Sequence, residues 1–161
     1  MADRVSAHIM IGGVLPRSQN PVLVQAIGSD NAAVYWDGTP FDPACLPVND
    51  PLTLMDHEVA NGCFETIELC CRRLGLQYVR WSGGYAGSFP SVRVIYRGHG
   101  EPRRYLTTED DQQLFSIESI RELGGIVAVE NDYQLARQNP PPLVLIDEEP
   151  IDEAMMEPVH G

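Results

Sequence analysis

The strongest constraint on the fold is a strand, helix, strand pattern in residues 52–81. A short apolar strand at 52–55 precedes a segment whose apolar residues recur at helical spacing, and a further strand follows at 77–81. The helix is expected to run from residue 58 or 61 to residue 74, with Phe64, Ile67, Cys71 and Leu74 on its apolar face. Gly75 then stands where a left-handed residue commonly ends a helix. The pattern predicts a sheet with this helix packed on one face.

The remaining sequence predicts further strands at residues 8–15, 32–36 and 92–97, with a return strand at 103–107. Gly12 and Gly13 indicate a bulge or a close backbone approach in the first strand. Helices are expected at 20–28 and at 109–123, where Thr108 and Asp111 have capping-box spacing. Residues 37–51 contain four prolines and are predicted to be an extended loop, and 126–138 fits a strand or a helix.

These elements predict an α/β (α+β) fold in a single domain over residues 1–146. A mixed sheet of about four to six strands carries two to three packed helices in this prediction. Residues 147–161 form an acidic C-terminal tail, which contains six acidic residues and no arginine. Such a composition favours disorder or an interaction arm.

Charge limits the possible partners of the chain. It has 161 residues, of which 23 are acidic and 11 are arginine, so its formal net charge is −12. Nucleic acids and anionic membranes attract clustered positive charge, and neither is expected to bind this chain directly. The partner that we expect is a protein, with a basic surface as the favoured form. Because the chain has no lysine, mechanisms that need a lysine amine are excluded.

Cysteine and histidine spacing gives no indication of a metal, a cofactor or a disulfide framework. The four cysteines (Cys45, Cys63, Cys70 and Cys71) lack a CxxC motif, and the four histidines are scattered singly. We therefore expect reduced thiols, no metal and no cofactor. No apolar segment reaches the 18 to 20 residues, roughly, that span a bilayer, and the start of the chain lacks a secretory pattern. A cytoplasmic location is the expectation.

One polar cluster is a candidate for catalysis. Asp56, His57 and Glu58 are expected at a strand-to-helix junction, and Cys63 follows with five residues between it and His57. In an enzyme, His57 would serve as a general base, oriented by a carboxylate and paired with a cysteine nucleophile. The simpler interpretation is structural, because acidic residues stabilise helix starts and Cys63 lies on the apolar face. We favour the structural interpretation and assign no catalytic residue.

Candidate binding residues lie in three segments. The glycine-rich loop at 82–91 lacks the order of a phosphate-binding loop and is expected to present Tyr85 and Phe89. The second segment, 109–111, and the third, 147–149 at the start of the tail, are acidic runs. Their residues are Glu109, Asp110, Asp111, Asp147, Glu148 and Glu149.

Two parts of the chain, residues 8–17 and 54–98, carry a resemblance to known sequences. Their motifs are GGVLPR near the N-terminus and DHExxxGxFE followed by CRRxGLxYxRxSxGY. In these motifs the chain resembles small acidic bacterial proteins of uncharacterised function that are associated with phages, plasmids and integrated elements. After Tyr85, AGSFPSV stands where that group has an acidic stretch. The resemblance implies a mobile-element type of protein and transfers no activity to any residue.

Charge and resemblance together lead to the hypothesis of a non-enzymatic interaction factor. Its specific form is an inhibitor of a host nucleic-acid-binding defence system, of the anti-CRISPR or antirestriction kind, whose carboxylates occupy a basic groove. One alternative is a small enzyme that uses His57 with Asp56, Glu58 or Cys63. Another is a structural or assembly accessory protein whose tail docks on a basic partner.

Overall fold

The structure, a computed structural model, describes residues 3–147. Within these residues six strands form the sheet: β1 (Arg4–Pro16), β2 (Leu52–Ala60), β3 (Gln77–Ser82), β4 (Val92–Tyr96), β5 (Arg103–Leu106) and β6 (Leu143–Ile146). The order is β2-β1-β3-β4-β5, and all neighbours in this path are antiparallel. β6 pairs in parallel with the last four residues of β1. The long first strand therefore pairs with three strands, β2, β3 and β6, whereas β4 and β5 extend the sheet beyond β3.

The described residues contain four α-helices: α1 (Asn20–Ser29), α2 (Glu65–Leu74), α3 (Ile117–Leu123) and α4 (Ile126–Ala136). A 3-10 turn, Arg17–Gln19, leads into α1. The main core lies between one face of the sheet and the first two helices, and α4 packs on the other face through Ala136. The predicted α+β fold in one compact domain is confirmed, with one helix more than the two to three expected.

Alternation along β1 explains why the core forms on this face. Ala7, Ile9 and Ile11 are fully buried, whereas Ser6 and His8, which alternate with them, are half-buried on the opposite face. Full burial of an isoleucine side chain contributes about 2 kcal/mol.

Two predictions about residues 32–60 were wrong. Residues 32–36 form no strand, because Ala33 makes isolated bridges to Pro40 and Met55 only. The second helix begins at Glu65 because β2 continues through Ala60. A turn with positive φ at Asn61 and Gly62 then separates strand from helix.

The expected helix at 109–123 begins only at Ile117. Thr108 closes a turn instead of capping a helix, because its hydroxyl oxygen accepts the Asp110 and Gln112 backbone N–H groups. The cap is Ser116, whose Oγ accepts the Ser119 N–H at 3.0 Å. Residues 126–138, whose sequence fitted either a strand or a helix, form a helix over most of their length.

The glycine predictions were correct at two positions. Gly75 ends α2 with φ 70°. At Gly12 the backbone of another segment lies against the strand, since a Cβ atom there would be 1.7 Å from the Pro141 carbonyl oxygen. The Gly13 N–H also donates to the Pro142 carbonyl at 3.1 Å. The segment before β6 is thus pressed directly onto β1.

No helix found in residues 3–147 combines the length and the apolar character that crossing a membrane requires.

Candidate functional site

The Asp56, His57 and Glu58 cluster lies inside β2, not at a helix start, which corrects the expectation above. The pairing register with β1 shifts here: Asp56 pairs with Ala7 and Val59 with Val5, so residues 57 and 58 both oppose Ser6. This is a β-bulge, a feature that redirects side chains and often lies beside functional sites. The Asp56 carboxylate accepts the Glu58 N–H at 3.1 Å and supports the bulge.

Beside the bulge lies an open cleft of about 600 Å³ between the end of β2, the start of α2 and the end of α1. We call it the acidic cleft because four carboxylates and one arginine line it: Asp30, Asp56, Glu58, Glu65 and Arg4. Within residues 3–147, this arginine forms no ion pair with a carboxylate. Its guanidinium donates to the Glu58 carbonyl at 2.9 Å. The cleft therefore has an excess of negative charge in a concave surface.

Asp30 links this cleft to the helix. Its carboxylate accepts the Thr66 N–H at 3.3 Å and the Ile67 N–H at 2.8 Å, so it caps α2 from the end of α1. Free N–H groups and the helix dipole at this terminus favour a negative charge. Sequence reasoning missed Asp30, since its partners lie 36 and 37 residues away.

A buried ion pair lies behind the cleft. Arg80 and Glu68, with side chains 5% and 3% exposed, pair at 3.1 Å. Arg80 also donates to the Gly62 carbonyl and to Ser82 Oγ, both at 2.8 Å. The Cys63 thiol donates to the second Glu68 oxygen at 3.1 Å. These bonds fix the turn between β2 and α2, and with it the wall of the cleft.

The structure does not assemble Cys63 and His57 into a nucleophile and base. Burial, followed by the nearby Glu68 charge, raises the pKa of the Cys63 thiol to about 12. The thiolate that would act as nucleophile is therefore scarce at neutral pH. His57 contacts other groups: its Nδ1 lies 3.1 Å from Ser6 Oγ and its ring 4.6 Å from the ring of Trp36.

Thiol reactivity tests this geometry. With iodoacetamide at pH 8, we expect rapid alkylation of Cys45, which is exposed, and slow alkylation of Cys63, Cys70 and Cys71. Asp42 raises the pKa of the Cys45 thiol by accepting its hydrogen, so its rate should lie below that of a free thiol. Peptide mass spectrometry over time measures each site, with urea-unfolded protein as the control. Rapid labelling of Cys63 in the folded protein would contradict a thiol that is partly buried and donates to Glu68.

Four aromatic rings form a stack on the face of the sheet opposite the main core. Trp36 lies against His57, His8 meets the edge of Trp36 at 6.5 Å, and His8 stacks on Trp81 at 5.6 Å. Burial lowers the pKa of His8, with a smaller opposing effect from Asp111 and a further lowering by Arg93. We call these residues the Trp–His stack. It anchors the 31–51 loop, and no sequence motif indicated it because its members come from four segments.

The loop at 83–91 presents its aromatic residues as expected. Tyr85 is exposed, Phe89 is half-exposed, and their rings lie 6.3 Å apart. Glu109 holds the base of the loop, because its carboxylate accepts the Gly84 N–H at 2.9 Å and the Ser91 hydroxyl at 2.5 Å.

The other acidic candidates have different environments. Asp110 is exposed, whereas Asp111 pairs with Arg93 at 2.8 Å and with Arg137 at 3.3 Å. Asp147 pairs with Arg17 at 2.7 Å on the surface. Glu148 and Glu149, with the rest of the predicted tail, lie outside the described residues.

Charge is distributed unevenly over the described chain. Residues 3–71 contain nine carboxylates and two arginines, whereas residues 72–147 contain nine of each. Of the first nine carboxylates, only Glu68 belongs to an ion pair within residues 3–147. The other eight are Asp3, Asp30, Asp37, Asp42, Asp50, Asp56, Glu58 and Glu65. The half of the chain that builds the acidic cleft therefore carries most of the uncompensated charge.

Within residues 3–147, no three His, Cys, Asp or Glu side chains are grouped so that they could hold a metal ion. In comparisons with known proteins, no family model matches the chain, and no curated protein and no solved structure shows significant similarity to it.

Proposed function

We propose that this chain is a non-enzymatic interaction factor that binds a basic surface of a partner protein through the acidic cleft. The observation that carries the proposal is the set of eight carboxylates in residues 3–71 without an ion-pair partner in the described structure. Four of them converge on one cleft of about 600 Å³. Arginine or lysine side chains of a partner would find complementary charge there, which accelerates association and selects against acidic partners.

Neutralising two cleft carboxylates tests the proposal. Glu58→Gln with Glu65→Gln leaves the Asp30 cap and the Asp56 bulge contact in place. We expect about fivefold weaker capture of the partner from a host lysate at low salt, since exposed charge pairs contribute up to about 1 kcal/mol. The effect should shrink at high salt, where exposed charges are screened. Quantitative pull-down followed by mass spectrometry measures it.

The matched control is Glu122→Gln with Glu130→Gln, which changes the net charge equally at exposed positions of α3 and its neighbour α4. Full capture by this control and weak capture by the cleft variant support a specific acidic site. Equal weakening of both would mean that net charge alone attracts the partner, and the cleft proposal would be wrong.

In its specific form, the proposal is that the partner is a nucleic-acid-binding protein of a host defence system and that this chain inhibits it. A carboxylate surface competes with phosphates for the same arginines and lysines. The resemblance of residues 8–17 and 54–98 to mobile-element proteins supports this form. Titration of the captured partner with labelled DNA or RNA provides the test: the chain should displace the nucleic acid, and a ternary complex would contradict inhibition by competition.

A further inference from the structure

We propose that the tip of the 83–91 loop, Tyr85 with Phe89, is the energetic centre of the same interface and receives an arginine side chain of the partner. This inference rests on the proposed function, because it assigns the partner's side-chain chemistry at that surface. Binding energy in protein interfaces concentrates in a few residues, among which tyrosine is enriched.

The tip is held rigidly by its own hydrogen bonds. The Tyr85 N–H donates to the Phe89 carbonyl at 2.9 Å, and the Ser88 and Phe89 N–H groups donate to the Tyr85 carbonyl at 2.9 and 3.1 Å. Gly87, with φ 81°, permits the tight reversal. Because these bonds already order the backbone of the turn, little loop entropy is lost on binding, and an exposed ring carried on such a turn is a good contact residue.

The base of the loop is fixed as firmly as its tip. Glu109 bonds both Gly84 and Ser91, the residues on either side of the tip. At Gly84, an added Cβ would be 2.9 Å from the Ser91 nitrogen, so the two arms of the loop touch. The arrangement sets the position of Tyr85 relative to the sheet.

The loop leaves the sheet at the end where the acidic cleft opens. The Gly83 N–H donates to the Ser6 carbonyl at 2.9 Å, and Ser6 is the residue opposite the bulge in β2. On the adjacent turn, an added Cβ at Gly62 would be 2.7 Å from Ser82 Cβ. One flat partner surface could therefore contact the cleft and the tip together.

The chemistry of the tip favours a guanidinium group. Arginine stacks on tyrosine faces, and the chain itself has two such contacts, Arg103 over Tyr105 at 4.9 Å and Arg137 over Tyr133 at 5.5 Å. Among residues 3–147, no arginine lies over Tyr85, whose ring contacts Phe89. Asp110 is exposed and follows Glu109, the residue that holds the base of the loop, so it adds negative charge near the loop.

Calorimetry with a synthetic peptide of four Arg-Gly-Gly repeats tests the inference on the full chain. We expect Tyr85→Leu to weaken binding about tenfold at low and at high salt, because a stacking contact is less sensitive to screening than exposed charges. Tyr85→Phe keeps the ring and should bind as the wild type does. Tyr35→Leu, at another exposed tyrosine, is the matched control. A peptide of Lys-Gly-Gly repeats should bind more weakly and respond less to Tyr85→Leu.

The outcomes separate this inference from the proposed function. If the arginine peptide binds the wild type and Tyr85→Leu equally, while Glu58→Gln with Glu65→Gln weakens it, the cleft proposal stands and the tip inference is wrong. If the arginine peptide does not bind the wild type at low salt, the proposed function itself fails. Melting curves of each variant confirm that the loop change leaves the fold intact.

Discussion

Arg80→Leu is expected to lower the free energy of unfolding by about 3 to 5 kcal/mol, the cost of leaving a buried charge unpaired. Arg80 is the ion-pair partner of Glu68, and both side chains are buried. The substitution also removes donors from the Gly62 carbonyl and Ser82 Oγ. Urea unfolding followed by circular dichroism measures the loss.

Two controls make this result specific. Arg17→Leu breaks the ion pair between Arg17 and Asp147, whose side chains are 61% and 84% exposed, respectively. It should lower the free energy of unfolding by no more than about 0.5 kcal/mol. Combining Arg80→Leu with Glu68→Leu removes both buried charges and should recover part of the lost stability. Should Arg80→Leu cost no more than Arg17→Leu, the buried pair would not support the turn as we describe it.

Gly12→Ala should have the second large effect, a loss of about 3 kcal/mol or more. The new methyl group would lie 1.7 Å from the Pro141 carbonyl oxygen, which is backbone and cannot move without displacing the segment before β6. Overpacking of this kind costs about 1 to 3 kcal/mol even where side chains can adjust. The same urea titration measures the change.

Gly28→Ala is the matched control. Gly28 lies in α1 and has open space around it, with no atom within 4 Å of an added Cβ. Alanine is the better helix former, so this variant should gain about 0.5 to 1 kcal/mol. If both glycine variants changed stability alike, close packing of the Pro141 segment on β1 would be contradicted.

Much of the sheet could be predicted because its strands carry a local signal. The apolar alternation in β1 and the apolar runs in β3 and β4 mark strands that are buried on at least one face. The predicted boundary between β2 and α2 was wrong, because pairing with a distant segment determines where β2 ends. β2 extends through the polar residues Asp56 to Glu58 because β1 pairs with it on both sides of the bulge, and this cannot be read from residues 52–60 alone.

The candidate site was only partly visible in the sequence. Tyr85 stood out because glycines surround it, and Glu58 because it lies in a dense polar cluster. Asp30 and Trp36 carried no sequence signal of their role. Asp30 caps a helix that begins 35 residues later. Trp36 lies in a loop and contacts His8 of β1 and His57 of β2. Tertiary contacts over such separations bring the cleft and the stack together.

The Trp–His stack has a consequence for spectroscopy. Trp36 and Trp81 are the two tryptophans of the chain, and each lies beside a histidine ring of the stack. All tryptophan emission of the protein therefore originates on one face of the sheet, next to the bulge that borders the acidic cleft. Intrinsic fluorescence is accordingly a local signal, which reports the attachment of the 31–51 loop to β1 and β2 without any added label.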